Sequence, residues 1–232
     1  MARVSPARSR ALPSIRVLAA ESLTQLKRFT AVAIVATLAL GLAGQAAEAN
    51  PRYAALVVDA KSGEVLYEFD AYEPRFPASL TKMMTLYILF EEIEAGRLSL
   101  DSKLSVSAYA ASIPPSKLGV GAGGTLSVQD AILALAVKSA NDVAVVVAEN
   151  LEGSTAAFAR RMTRTAEAIG MEDTTFMNPH GLPHPEQKTT ARDMAVLGMS
   201  LHDQFPDLYD VFSTQSFRYG EAVLRNTNGL LG

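Results

Sequence analysis

The sequence predicts an α+β fold, an antiparallel sheet packed against a helical layer. Three observations carry this. Two alternating, β-branched segments flank a glycine turn near residue 60; capped, apolar-periodic runs recur between residues 79 and 201; a Tyr- and Phe-containing strand segment follows at 215–224. The 232 residues fit one or two domains. With 49% apolar and 19% charged residues the chain can build a core, which excludes an intrinsically disordered protein.

Residues 1–49 form a separate device. Within residues 1–28, Arg3, Arg8, Arg10, Arg16, Lys27 and Arg28 stand against Glu21 alone. The stretch Ala31 to Gly44 is apolar except for Thr37, too short for a spanning helix of roughly 20 residues. Ala47 and Ala49 then offer small residues at −3 and −1 of a cleavage site. A basic n-region, a short apolar h-region and an A-x-A site read as a secretory signal, so export to the periplasm or the outer face of the inner membrane is expected. An uncleaved anchor or a buried helix is the plainer alternative. The domain is expected at 50–232. Of the 21 Lys+Arg and 24 Asp+Glu, the first 49 residues hold 6 and 2, which leaves the domain near −7 and argues against nucleic acid as a partner.

Along the domain, Tyr53–Asp59 and Glu64–Phe69 pair as a hairpin around Ala60–Gly63. Pro74 and Pro77 mark a loop. From Ser79, Leu80, Met83, Met84, Leu86, Tyr87, Leu89, Phe90 and Ile93 make a helix apolar nearly all round, hence buried, that Gly96 stops. Residues 97–126 read as irregular. Their Gly119–Gly124 run is no phosphate loop, because no Gly-Lys-Ser/Thr follows. Ser127 caps a helix through Val137, with Asp130 in its first turn. A helix is expected at 142–149, and an amphipathic one at 155–169 with Arg160, Arg161 and Arg164 on its wet side. Residues 178–185 form a turn-rich loop, Thr190 caps a helix to Leu201, and 215–224 is a strand.

Cysteine is absent, which removes disulfides, Cys-ligated metals and thiol catalysis together. His180 and His184 have the spacing of a helical metal pair, but Pro179, Pro183 and Pro185 forbid the helix. No metal and no cofactor are expected. Ser79-Leu80-Thr81-Lys82 is different. Three residues are nearly one helical turn, so both side chains share a face at a buried helix start. The helix terminus favours negative charge near the serine. A lysine against a low-dielectric wall loses pKa and becomes able to accept the serine proton. The plain alternative is a cap and a surface lysine. Ser139-Ala140-Asn141, between two apolar runs, places a hydroxyl and an amide in one break, or simply makes a helix–helix turn.

With these motifs the sequence resembles the serine penicillin-binding proteins, and within them the D-alanyl-D-alanine carboxypeptidases, whose superfamily signature includes Ser-x-x-Lys. The carriers are Phe76–Lys82 (FPASLTK), Val137–Asp142 (VKSAND), Asn178–Leu182 (NPHGL) and Thr190–Ala195 (TARDMA). The resemblance spans about residues 50–232. It implies a β-lactamase/transpeptidase-like fold, Ser79 as acylated nucleophile, Lys82 as its general base, Ser139 as proton relay and Asn141 as the residue that binds the substrate amide. It also implies a peptidoglycan stem peptide ending in D-Ala-D-Ala as substrate, β-lactams as acylating mimics, and peripheral association with the inner membrane through a further C-terminal region.

The third motif of such proteins, Lys-Thr/Ser-Gly on a strand, is missing. Lys61-Ser62-Gly63 has the letters but lies in the hairpin turn. The expectation is that the chain stops short of it and has an incomplete sheet. The alternatives are a β-lactamase, which needs a deacylating acid such as a loop glutamate (Glu172 and Glu186 are the loop acids), a D,D-endopeptidase, or a non-catalytic penicillin-binding fragment.

Overall fold

The computed structural model describes residues 53–231. The expected leader lies outside the described residues. Strands β1 (Ala55–Val58) and β2 (Val65–Phe69) pair antiparallel, Ala55 facing Phe69 and Val57 facing Tyr67. Asp59 builds the turn: its Oδ1 accepts the N–H groups of Lys61 at 3.1 Å and Ser62 at 2.8 Å, and Gly63 closes it at φ +73°. Lys61-Ser62-Gly63 is therefore turn structure, as the sequence implies.

Helix α1 (Thr81–Glu94) is the central post. Met84 and Leu86 through Phe90 are buried without a break, so every face is covered. Each such side chain contributes about 1.5–3 kcal/mol by leaving water. Gly96, at φ +68°, ends the helix as expected.

The segment 97–126 differs from the irregular reading. It holds β3 (Lys103–Ser105) paired with β4 (Thr125–Ser127), and a short α2 (Ala108–Ser112) capped by Ser107. Each strand has three residues and one buried side chain, Leu104 or Leu126, too few for a visible alternation. Ser127 caps α3 (Val128–Leu133) by accepting the Asp130 N–H at 3.0 Å. The expected helix to Val137 then widens into a π-helical turn, Ala134–Lys138. Ser139 leaves it in the left-handed conformation, φ +55° and ψ +45°. Helix α4 (Asn141–Glu152) follows, with Val143 through Ala148 buried.

Helix α5 (Thr155–Ala168) is capped by Ser154. Arg160 and Arg164 are exposed as expected, but Arg161 is not on the wet side. It turns inward and bonds Glu92 at 2.6 Å and Glu152 at 3.1 Å, tying α5 to α1 and α4. Its two exposed neighbours hide this partnership from a sequence reading. Thr190 caps α6 (Ala191–Gln204), and the short α7 (Pro206–Tyr209) follows. The single strand expected at 215–224 is a hairpin, β5 (Ser216–Tyr219) and β6 (Ala222–Arg225), folded at Gly220. Among the described residues the strands form three separate two-stranded ladders beside a helical core. The α+β reading stands.

Candidate active site

The site begins where the 72–78 loop enters α1. Ser79 lies in a single 3₁₀ turn, Ala78–Leu80, immediately before the helix, and is exposed. Ala78 is held at φ +47°, a costly conformation for a residue with a Cβ. Its carbonyl lies directly against Gly181. A Cβ at that position would stand 1.8 Å from Ala78 O, and Gly181 is itself at φ +87°. Only glycine fits on both counts.

Lys82, in the first turn of α1, is 2% exposed. Its Nζ donates to the His180 carbonyl at 2.7 Å. Burial pulls the Lys82 amine from 10.5 down to about 8, because desolvation penalises the ammonium. The same burial, with the Lys82 charge second, takes His180 down to about 4. The imidazole is thus neutral near pH 7, and its Nδ1 accepts the Leu182 N–H at 3.1 Å. His184 spends its Nδ1 likewise, on the Glu186 N–H. Both histidines serve their own loop.

That loop is built onto α1. Thr85 Oγ1 donates to Pro179 O at 2.7 Å, and Gln187 Nε2 donates to Thr81 Oγ1 at 3.3 Å. Asn178 organises the turn: its Oδ1 accepts the Gly181 N–H at 2.7 Å and its Nδ2 donates to Leu182 O at 3.0 Å. Sequence reading missed this role of residues 178–182. The signal was present in Asn-Pro-His-Gly, where an Asx turn and a glycine together specify a rigid bend.

Ser139 comes from the π-helical turn and lines the same cleft as Ser79 and Lys82, a cavity of about 360 Å³. The structure thus brings together three of the four predicted residues. Asn141 stands apart. It is buried, lies outside the cleft lining, and its Nδ2 donates to Pro114 O at 3.1 Å. Tyr209 and Phe212 supply an apolar wall, and Asn226–Asn228 a polar one. Thr227 N–H reaches Val137 O at 3.3 Å, which draws this last segment against the π-helical turn. None of these wall residues was legible beforehand, because they come from α7, its following turn and the tail of β6. Glu172 and Glu186 are exposed and line no part of the cleft.

The arrangement offers a hydroxyl at a helix N-terminus, an amine kept largely free of water, and a second hydroxyl across a cleft. Such a set can activate a serine without histidine.

The chain is 34% identical over 182 residues to the Escherichia coli D-alanyl-D-alanine carboxypeptidase DacC, covering 76% of this chain and 46% of the relative. The crystal structure of the Francisella tularensis carboxypeptidase DacD matches with a TM-score of 0.71 at 40% identity, over 76% of this chain and 43% of that one. Penicillin-binding protein D2 from Listeria monocytogenes, solved in its ampicillin-bound form, matches with a TM-score of 0.63 at 32% identity, over 77% of this chain and 72% of that one. The chain spans about half the length of the curated carboxypeptidases it matches. The family model for peptidase S11, D-alanyl-D-alanine carboxypeptidase, covers residues 44–232, and the chain belongs to that family.

Proposed function

We propose that the protein containing this chain is a serine-type D-Ala-D-Ala carboxypeptidase that trims the terminal D-alanine from peptidoglycan stem peptides. The observation that carries this reading is the buried Lys82 amine, one helical turn from Ser79, in a cleft shared with Ser139.

The free Lys82 amine donates one N–H to the His180 carbonyl, which leaves its lone pair for the Ser79 proton. Ser79 Oγ then bonds to the carbonyl carbon between the two D-alanines. The developing oxyanion faces the Ser79 N–H at the start of α1, where the helix terminus favours negative charge. Ser139 passes the proton to the leaving D-alanine nitrogen, the C–N bond breaks, and an ester remains on Ser79. Water hydrolyses it, restoring the hydroxyl. Asn141, buried outside the cleft lining with its Nδ2 donating to Pro114 O, does not itself hold the substrate amide in this arrangement. A β-lactam presents a strained amide to the same serine and leaves the same kind of ester. Residues 1–49 direct export, so that the catalytic domain works on the outer face of the inner membrane.

A D,D-endopeptidase cutting cross-links is the rival of the same chemistry. The test incubates the purified protein with a peptide ending in D-Ala-D-Ala and with a cross-linked dimer. Free D-alanine from the first, abolished by Ser79→Ala, is expected. Cleavage of the dimer alone would select the endopeptidase; cleavage of neither would remove the proposal.

A further inference from the structure

Asp142 is fully buried and takes no part in the steps above. Its Oδ1 accepts the Leu118 N–H at 2.9 Å, and its Oδ2 accepts the Gly119 N–H at 2.8 Å and the Val120 N–H at 3.3 Å. Oδ1 also takes the Val143 N–H at 2.9 Å. Among the described residues no lysine, arginine or histidine pairs with it. A carboxylate is costly to bury unless its lone pairs are filled. Here backbone N–H groups fill them, at the N-terminal turn of α4, where the helix favours a negative charge.

The three captured amides end a strap, residues 114–120, that lies across the Ser139 elbow. Ser116 O accepts the Asn141 N–H at 2.7 Å, Pro114 O accepts Asn141 Nδ2 at 3.1 Å, and Ser116 Oγ donates to Lys138 O at 3.0 Å. These bonds grip residues 138 and 141, on either side of Ser139. Ser139 itself holds φ +55° without being glycine. A backbone in that region persists only where its surroundings over-determine it. The helix end contributes its own part, since the Ser139 and Ala140 N–H groups both turn back to Ala134 O, and the strap adds a grip from outside that Asp142 ties down.

We infer that Asp142 is a positioning residue for Ser139: by clamping the 114–120 strap it keeps Ser139 in its left-handed conformation in the cleft wall shared with Ser79. The kinetic consequence rests on the proposed function; the structural one does not. The side chain touches no reacting atom. It acts through Pro114, Ser116 and Asn141.

The substitution is Asp142→Asn, which keeps the shape but turns an amide N–H₂ toward donors. Two readouts apply to the isotopically labelled protein. First, amide exchange at Leu118–Val120 quickens at least about tenfold, and the Ser139 backbone shifts move away from the left-handed pattern. Second, the acylation rate with a fluorescent penicillin falls about tenfold or more, yet by less than about twofold when Asp142→Asn is added to Ser139→Ala. This non-additivity is the signature of action through Ser139; a general loosening of the fold lowers both backgrounds alike. Unchanged Ser139 shifts, or an equal rate loss in both backgrounds, overturns the inference. Should Asp142→Asn fail to fold, Ser116→Ala on the exposed side of the strap replaces it. The same changes are then expected at about twofold or more, and their absence overturns the inference. A parent protein that penicillin does not acylate refutes the proposed function, and the backbone readout alone then decides for or against Asp142.

Discussion

Replacing Lys82 with arginine separates charge from basicity. The buried amine titrates at about 8 rather than 10.5. At pH 7 that leaves about 10% of it as free base, against about 0.03% for an ordinary lysine, a gain of roughly 300-fold in the reactive form. Arginine keeps the positive charge and reaches the same carbonyl of His180, but its pKa above about 12 leaves essentially no base. The acylation rate of Ser79, followed by quenched reactions with a fluorescent penicillin between pH 6 and 9.5, is expected to rise with pH and level off near 8 in the parent. Lys82→Arg is expected to lose at least about 100-fold at pH 7, the range that a lost general base removes. Lys82→Ala should lose about as much. An arginine variant within about tenfold of the parent, or a parent profile flat across this range, would make Lys82 an electrostatic partner and refute the base assignment.

Gly181→Ala puts a methyl 1.8 Å from the Ala78 carbonyl at a positive φ, so it should cost about 2–5 kcal/mol and lower the melting temperature by roughly 4–20 °C; a shift under about 2 °C contradicts the packing account. His180 is lowered in the fold from 6.5 to about 4, so the folded state binds fewer protons between those values and stability rises with pH from about 4 to about 6.5. Removing the group as His180→Gln should flatten urea-midpoint curves across that window. The burial of Arg161 among Glu92, Glu152 and Glu91 means that Arg161→Ala leaves the little-exposed Glu92 carboxylate with Arg97 alone, at about 1–3 kcal/mol. Arg164→Ala, at an exposed position on the same helix, should change stability by less than about 0.5 kcal/mol. Equal thermal shifts for the two would sink this distinction.

Local chemistry explains what could be read in advance. The hairpin at 55–69, the buried post α1 and the caps at Ser127 and Thr190 are each specified by residues close in sequence: Asp59 with Gly63, an unbroken apolar run, a serine or threonine three residues before an acid. Ser79 and Lys82 were legible for the same reason, since one helical turn joins them. What escaped is what long-range contact decides. Leu104 and Leu126 define β3 and β4 only by meeting each other across a long connection that contains α2. Arg161 looks like Arg160 and Arg164 until Glu92 arrives from another helix. The His180 carbonyl that receives Lys82 is a backbone group, and no side-chain motif announces it. Asn141 matched a motif whose residues suggested the cleft, yet its position beneath the 114–120 strap follows from the left-handed turn at Ser139, which a non-glycine sequence gives no reason to expect.

The central claim is that Ser79, at the mouth of α1, is the nucleophile. Intact-mass and peptide mass spectrometry after incubation with benzylpenicillin tests it most directly. One penicilloyl adduct per chain is expected, on the peptide containing Ser79, and absent from Ser79→Ala. An adduct on Ser139 or any other residue, or one that survives Ser79→Ala, would contradict the account.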